Sequence, residues 1–214
     1  LSQIYQLLSF GTSPVSLANM KSFLKVTTTT EDTLIQALID SATEWGEKYT
    51  GREFRANTWE LLLDAFSDFG NSSERFQYQY VSSNLAYGCG RFATERIELK
   101  RDPVDTITDI MYLNDASGTS TVSVADYYLK KLTQSSEILL FDDKDWPTDV
   151  AEREQAITVL FVTKAYRCLN EIQNAIKLHV SNLYTNRGDC SCTELNAKES
   201  GATLFYDQFR ISRV

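Results

Sequence analysis

The segment from Glu31 to Tyr49 constrains the fold more than any other part of the chain. Leu34, Leu38, Ala42, Trp45 and Tyr49 recur at steps of four and three, with Ile35 and Ile39 beside them, so one apolar stripe runs at helical period. Gln36, Asp40, Thr43 and Glu47 make the other face. Thr30 is placed to accept from the free amides of the first turn, and Glu31 and Asp32 stand where the positive end of the helix dipole favours carboxylates. Glycine readily takes the left-handed conformation that closes a helix, so Thr50-Gly51-Arg52 reads as an architectural stop followed by a reversal. Upstream, Ser16 caps a shorter helix carrying Leu17, Met20 and Leu24, and Lys25 to Thr30 is a polar link. Together the two predict a helical hairpin.

A second strong helical pattern spans Asn170 to Arg187. Asn170 caps it, Glu171 suits the first turn, Ile172, Ile176, Val180, Leu183 and Tyr184 form the stripe, and Gly188 ends it. His179, the one histidine of the chain, sits at the edge of that stripe and reads as a packed structural residue. Between the helical segments the chain reads as β-structure. Candidate strands are Thr58 to Phe66, Arg96 to Lys100 ended by Asp102-Pro103, and Thr106 to Leu113 closed by the turn-rich Asn114 to Gly118. Tyr127 to Leu132 and Glu137 to Phe141 form a hairpin, and Ala156 to Val162, apolar on both faces, is the central strand.

Three segments are less regular. Leu1 to Pro14, with Ile4, Leu7 and Leu8 at helical spacing, reads as a short arm or a fraying turn of helix. Ser67 to Thr94 is rich in Ser, Asn, Gly and aromatics and reads as a long protruding loop or hairpin. Its alternating Phe76, Tyr78 and Tyr80 are candidates for a subunit interface. Thr203 to Val214 places Leu204, Tyr206, Phe209 and Ile211 among polar residues, like a strand awaiting a sheet edge; folding back on its own helices is the alternative. The expected fold class is α+β: a bundle of amphipathic helices, made by the N-terminal hairpin and the C-terminal helix, with an inserted, mainly antiparallel β subdomain and an extended C-terminal tail. The expected limits are 1–56 for the hairpin, 57–166 for the β subdomain with its protruding loop 67–94, 167–188 for the C-terminal helix and 189–214 for the tail.

Composition narrows the function. The 214 residues are 43% hydrophobic and 12% aromatic, enough for a real core, and no apolar run approaches the length of a membrane span. The first ten residues lack the basic start and cleavage site of a signal peptide. With 21 basic and 29 acidic residues, a net charge of -8, the average field opposes a grip on phosphates, although DNA passing close to an acidic wall would not stick to it. The outward Gln36, Asp40, Glu44 and Glu47 argue against a helix that reads the major groove. Cys190 and Cys192 are one residue apart with no histidine near them, which suits free thiols rather than zinc. Asp142, Asp143, Asp145 and Asp149 suggest a calcium loop, but Lys144 and Trp146 fall where oxygen ligands would stand. With one histidine and no GxSxG elbow, no enzyme, metal or other cofactor is expected.

Four features in order resemble the head-tail connector proteins of long-tailed bacteriophages, also called adaptors or head-completion proteins. They are Val15-Ser16-Leu17 with Lys21, Leu24 and Val26; Asp32 to Leu38 running into Tyr49-Thr50-Gly51-Arg52; Asp102-Pro103-Val104 with Ile107, Ile110 and Tyr112; and Ala175 to His179 leading to Leu183-Tyr184-Thr185-Asn186-Arg187. The insertion 67–94 is longer than a minimal member needs, and Arg167-Cys168-Leu169 stands where a proline often precedes the last helix. The resemblance implies a structural ring subunit, usually one of twelve, that sits under the portal protein in the virion neck after assembly in the host cytoplasm. It implies three partners: the portal, further copies of itself, and a downstream neck or tail-completion protein. DNA would only pass through the channel, and no membrane is involved. By the same resemblance, Thr203, Leu204, Phe205, Tyr206, Phe209, Arg210 and Ile211 would dock to the portal, and Thr50, Gly51, Arg52, Tyr184 and Arg187 would form the architectural motif. A neck or tail-completion protein further from the portal, or a DNA-binding assembly module, are the alternatives.

Overall fold

A computed structural model describes residues 3–66, 96–132, 135–166, 169–187 and 197–211. The chain divides into two compact units. One takes Leu1–Ser9, Asn57–Lys100 and Val104–Thr163; the other takes Phe10–Ala56, Arg101–Pro103 and Lys164–Val214. The first nine residues therefore fall with the sheets and not with the hairpin, and residues 101–103 and 164–166 fall with the helices.

Among the described residues, the sheet unit holds two antiparallel sheets. The larger runs β1 (Ile4–Ser9), β2 (Thr58–Leu63), β8 (Ile157–Thr163), β4 (Val104–Leu113), β5 (Thr119–Thr121) in spatial order. The smaller runs β3 (Ile97–Leu99), β7 (Ser136–Leu140), β6 (Tyr127–Lys131). β8 is central, as its apolar sequence predicts: Phe161 faces Trp59 on one side and Ile107 on the other, and Val159 faces Leu61 and Ile110. Leu61, Ile97, Leu99, Ile110, Ile138, Ile157 and Phe161 are fully buried and form the centre of this core.

The first segment is a strand, neither an arm nor a helical turn. β1 pairs with β2, Tyr5 opposite Leu61, and the Tyr5 ring meets Phe161 edge-on at 6.4 Å. Six residues carry too little periodicity to separate the two structures, and the free edge of β2 decides by offering partners to the main chain.

In the helical unit, α1 (Leu17–Leu24) starts as read, with the Ser16 hydroxyl accepting from the Asn19 amide. α2 (Asp32–Thr50) differs in two respects. Its cap is Glu31, which makes no side-chain capping bond, while the Thr30 hydroxyl donates to Thr28. Its buried stripe is also rotated, through Ile35, Ile39, Ala42, Thr43, Gly46, Glu47 and Thr50, leaving Leu34 exposed and Leu38, Trp45 and Tyr49 half-buried. Thr43 and Glu47, expected outside, are inside because both are satisfied there: Thr43 donates to the Ile39 carbonyl and meets the Ser13 hydroxyl, and Glu47 pairs with Arg55.

α3 (Leu169–Thr185) begins one residue before Asn170, so Asn170 lies inside the first turn instead of capping it; Gly188 lies outside the described residues. Ile172, Ala175, Ile176 and Val180 are buried, as is His179, whose ring meets Trp45 edge-on at 5.3 Å. The expected extended tail is replaced by a short helix, α4 (Ala202–Tyr206), and a 3-10 turn, Asp207–Phe209, so the segment folds back on its own helices. Tyr206 is fully buried. Among the described residues, no helix is long and apolar enough to cross a membrane.

Candidate functional site

The turn after α2 organises the helical unit. Gly51 has φ 74°, the left-handed conformation expected of it, and its amide closes the helix on the Glu47 carbonyl. The reversal delivers Arg52 inward. Its Nη1 pairs with Asp102 at 2.9 Å, its Nε donates to the Phe209 carbonyl at 2.8 Å, and its guanidinium lies over the Tyr166 ring at 4.4 Å. One side chain thus ties the end of α2 to residues 101–103 and to the C-terminal segment. Burial pushes the Asp102 carboxyl up, and the Arg52 charge opposes that rise.

Around this pair lie two more. Glu47 Oε1 accepts from the amides of Phe54 and Arg55 at 2.9 and 3.1 Å and from Arg55 Nε, while Oε2 pairs with Arg55 Nη2 at 2.6 Å. Glu53 lies 3.6 Å from Arg101, its amide donates to the Asp102 carbonyl, and its carbonyl accepts from the Tyr166 amide. The network is charge-balanced, and its fixed geometry builds a rigid corner. It offers no unpaired acid or nucleophile to a substrate. A cavity of about 110 Å³ beside it, lined by Thr12, Pro14, Phe54, Tyr166 and Ile172 among others, is smaller than an ordinary ligand site.

Tyr184 and Arg187 form a separate clasp. Both donate to Glu31, joining the C-terminal end of α3 to the start of α2, and the Tyr184 hydroxyl and then the Arg187 guanidinium hold the Glu31 carboxyl below its ordinary range. Lys21 pairs with Asp32 and ties α1 to the same end of α2.

Of the sequence-derived tail residues, Tyr206 is buried, Thr203, Phe205, Phe209 and Ile211 are half-buried, and Leu204 and Arg210 are exposed. Phe76, Tyr78 and Tyr80 lie outside the described residues. Glu47, Glu53 and Arg55 join the corner without any motif that marks them in the sequence, and Asp102, which stands in the Asp102-Pro103-Val104 feature, joins it without any signal that pairs it with Arg52. A signal for one existed: Glu47 lies on the line Ile35-Ile39-Ala42-Gly46, with two arginines just beyond the turn. In the sheet unit, Asp142, Asp143, Asp145, Asp149, Glu152 and Glu154 are all exposed. Val124, Tyr128 and Phe141 are exposed too, with the last two rings 5.1 Å apart. Among the described residues, no group of His, Cys, Asp or Glu is arranged to hold a metal.

Residues 14–85 match the family described as Phage gp6-like head-tail connector protein. The matched stretch contains α1, α2 and the Gly51 turn. The fold is similar across nearly the whole chain to chains in three solved assemblies. These are the neck of an empty gene transfer agent particle with C6 symmetry (TM-score 0.66, 16% identity, 99% of this chain and 97% of that one), the virion of a native gene transfer agent particle (0.68, 16%, 99% and 97%), and the neck of the native particle with C12 symmetry (0.65, 16%, 98% and 97%). No curated protein matches the chain.

Proposed function

We propose that this chain is a structural head-tail connector subunit of the neck of a phage-like virion, where copies form a ring that extends the DNA channel from the portal and presents a surface to the next neck or tail protein. The observation that carries this reading is the connector-family match over 14–85, which covers the hairpin and its exit turn, within a fold similar from end to end to virion neck chains. The chemistry agrees with it. The ionic corner and the Glu31 clasp rigidify the helical unit instead of presenting reactive groups, and a stiff module is what repeated subunit contacts require. The exposed acidic run from Asp142 to Glu154 suits a neighbour of DNA that must slide past without binding.

The partners can be drawn in finer detail. The ring has twelve copies, and Phe76, Tyr78 and Tyr80 belong to the contact between them. The segment Thr203–Ile211 meets the portal, chiefly through the outward Leu204 and Arg210. A position further down the neck is the second reading, and likeness to neck chains agrees with either position. Negative-stain electron microscopy of the purified protein, alone and mixed with portal, tests the proposal. Rings that stack on the portal are expected. Particles that neither form rings nor associate with portal would overturn it, and rings that ignore portal but bind the next neck component would move the subunit down the neck.

A further inference from the structure

The C-terminal segment sits on α2 as a ligand sits in a groove. Gly46 lies within α2, where glycine costs about 1 kcal/mol relative to alanine. A Cβ at that position would stand 2.8 Å from Phe54 Cε2 and 2.9 and 3.0 Å from Tyr206 Cε1 and Cζ. The missing side chain therefore makes a notch for the Tyr206 ring, which is boxed by Trp45, Tyr49 and Phe54 at centroid distances of 5.7, 6.4 and 6.1 Å. Beyond the ring, the groove also holds the residues C-terminal to it. Tyr49 donates to the Asp207 carboxylate at 2.5 Å, Arg52 to the Phe209 carbonyl at 2.8 Å, and the Ile211 amide to the Thr50 carbonyl at 2.8 Å. An aromatic anchor in a notch, flanked by main-chain hydrogen bonds, is a mode of short-peptide recognition.

Two features mark the segment as separable. α4 has five residues, with its first amide, that of Ala202, donating to the Ser200 hydroxyl; a helix so short does not persist unaided and forms on its seat. The Tyr206 hydroxyl is buried with no hydrogen-bond partner, a desolvation cost that offsets part of what the ring gains and keeps docking reversible.

We propose that the Gly46 notch is a peptide-binding site which residues 197–211 fill as a detachable ligand, and that the same segment of a second copy of this chain fills it in exchange. Every copy carries both an identical seat and an identical ligand, so exchange between neighbours conserves all the contacts above. The chain between Arg187 and Ala197 spans at most about 33–36 Å, which sets the reach of the exchange. This inference is independent of the connector reading and holds for any oligomer of the chain.

The test uses the whole chain and a fluorescent peptide of residues 197–214. The tethered segment competes at an effective concentration on the order of 1 mM, so uptake of free peptide is expected to approach saturation only in that range. A peptide carrying Tyr206→Ala should bind at least roughly tenfold more weakly, the equivalent of about 1.4 kcal/mol. In hydrogen exchange, the amides of Leu204, Arg210 and Ile211 should open together and more readily than those of α2. Equal uptake of the two peptides, no uptake at all, or exchange of the segment only along with α2 would each overturn the proposal.

Discussion

Replacing Glu47 separates two roles that the ionic corner assigns to one carboxylate. Oε1 accepts two main-chain amides, Phe54 and Arg55, and Oε2 holds Arg55 Nη2 at 2.6 Å, with the Glu47 and Arg55 side chains only 8% and 4% exposed. Glu47→Gln keeps an oxygen for the amides but sets an NH2 group against the guanidinium. Removing one partner of a buried pair costs about 3–5 kcal/mol, because the attraction that offset the desolvation of both charges is lost. Glu47→Leu loses the same pair and, in addition, leaves two buried amides without their acceptor, each worth about 1–3 kcal/mol, so it should be worse than Gln by at least about 2 kcal/mol. Against a total stability of about 5–15 kcal/mol, the first variant is weakened and the second is close to unfolded. Urea denaturation followed by helical ellipticity reads the difference. Because the chain has two units, the midpoint of the transition that carries the helix signal is the quantity to compare. Glu47→Gln within about 1 kcal/mol of wild type, or Glu47→Leu no worse than Glu47→Gln, would refute the reasoning.

Three other outcomes are expected. Gly51→Val should cost more than about 1 kcal/mol through backbone strain alone, since a Cβ at φ 74° would meet Ile211 at an ordinary 3.7 Å; an unchanged denaturation midpoint would count against it. Tyr206→Ala should cost about 3–5 kcal/mol and open residues 197–211 to limited proteolysis, and a variant as resistant as wild type would show that the ring is not an anchor. The depressed Glu31 carboxyl contributes stability that is fully present above the ordinary carboxylate pKa and is lost as pH falls through the lower folded value. Tyr184→Phe should therefore flatten the stability profile on the acid side and leave the neutral slope unchanged; it also removes a phenol that its bond to Glu31 holds above the ordinary tyrosine range, so the loss of stability at strongly basic pH should flatten as well, and parallel acid limbs for the two proteins would contradict that.

The sequence was legible wherever a local rule carried the information. Ser16 was recognisable as a helix start and Gly51 as a helix stop because capping and the left-handed turn are decided within a few residues, and β8 because a short run apolar on both faces fits the centre of a sheet. The features that local rules do not reach depend on residues outside the element itself. β1 is a strand because β2 lies beside it, the α2 stripe turns because Arg55 neutralises Glu47, and the tail is helical because Gly46 leaves room for Tyr206. The site divides in the same way. Thr50-Gly51-Arg52 could be read from turn chemistry, but no local rule pairs Asp102 with Arg52, fifty residues away, or Glu31 with Tyr184 and Arg187.

The seat for Tyr206 also sets a clock on synthesis. Tyr49 and Asp207, which meet there, are 158 residues apart, so at about 5–20 residues per second a ribosome takes roughly 8–30 s to deliver the second after the first. Throughout that interval the Gly46 notch between Trp45, Tyr49 and Phe54 lacks the ring that fills it, while the strands of the other unit are made and can pair. A nascent chain interrupted before residue 206 consequently exposes at that notch the apolar surface that the Tyr206 ring covers in the full chain.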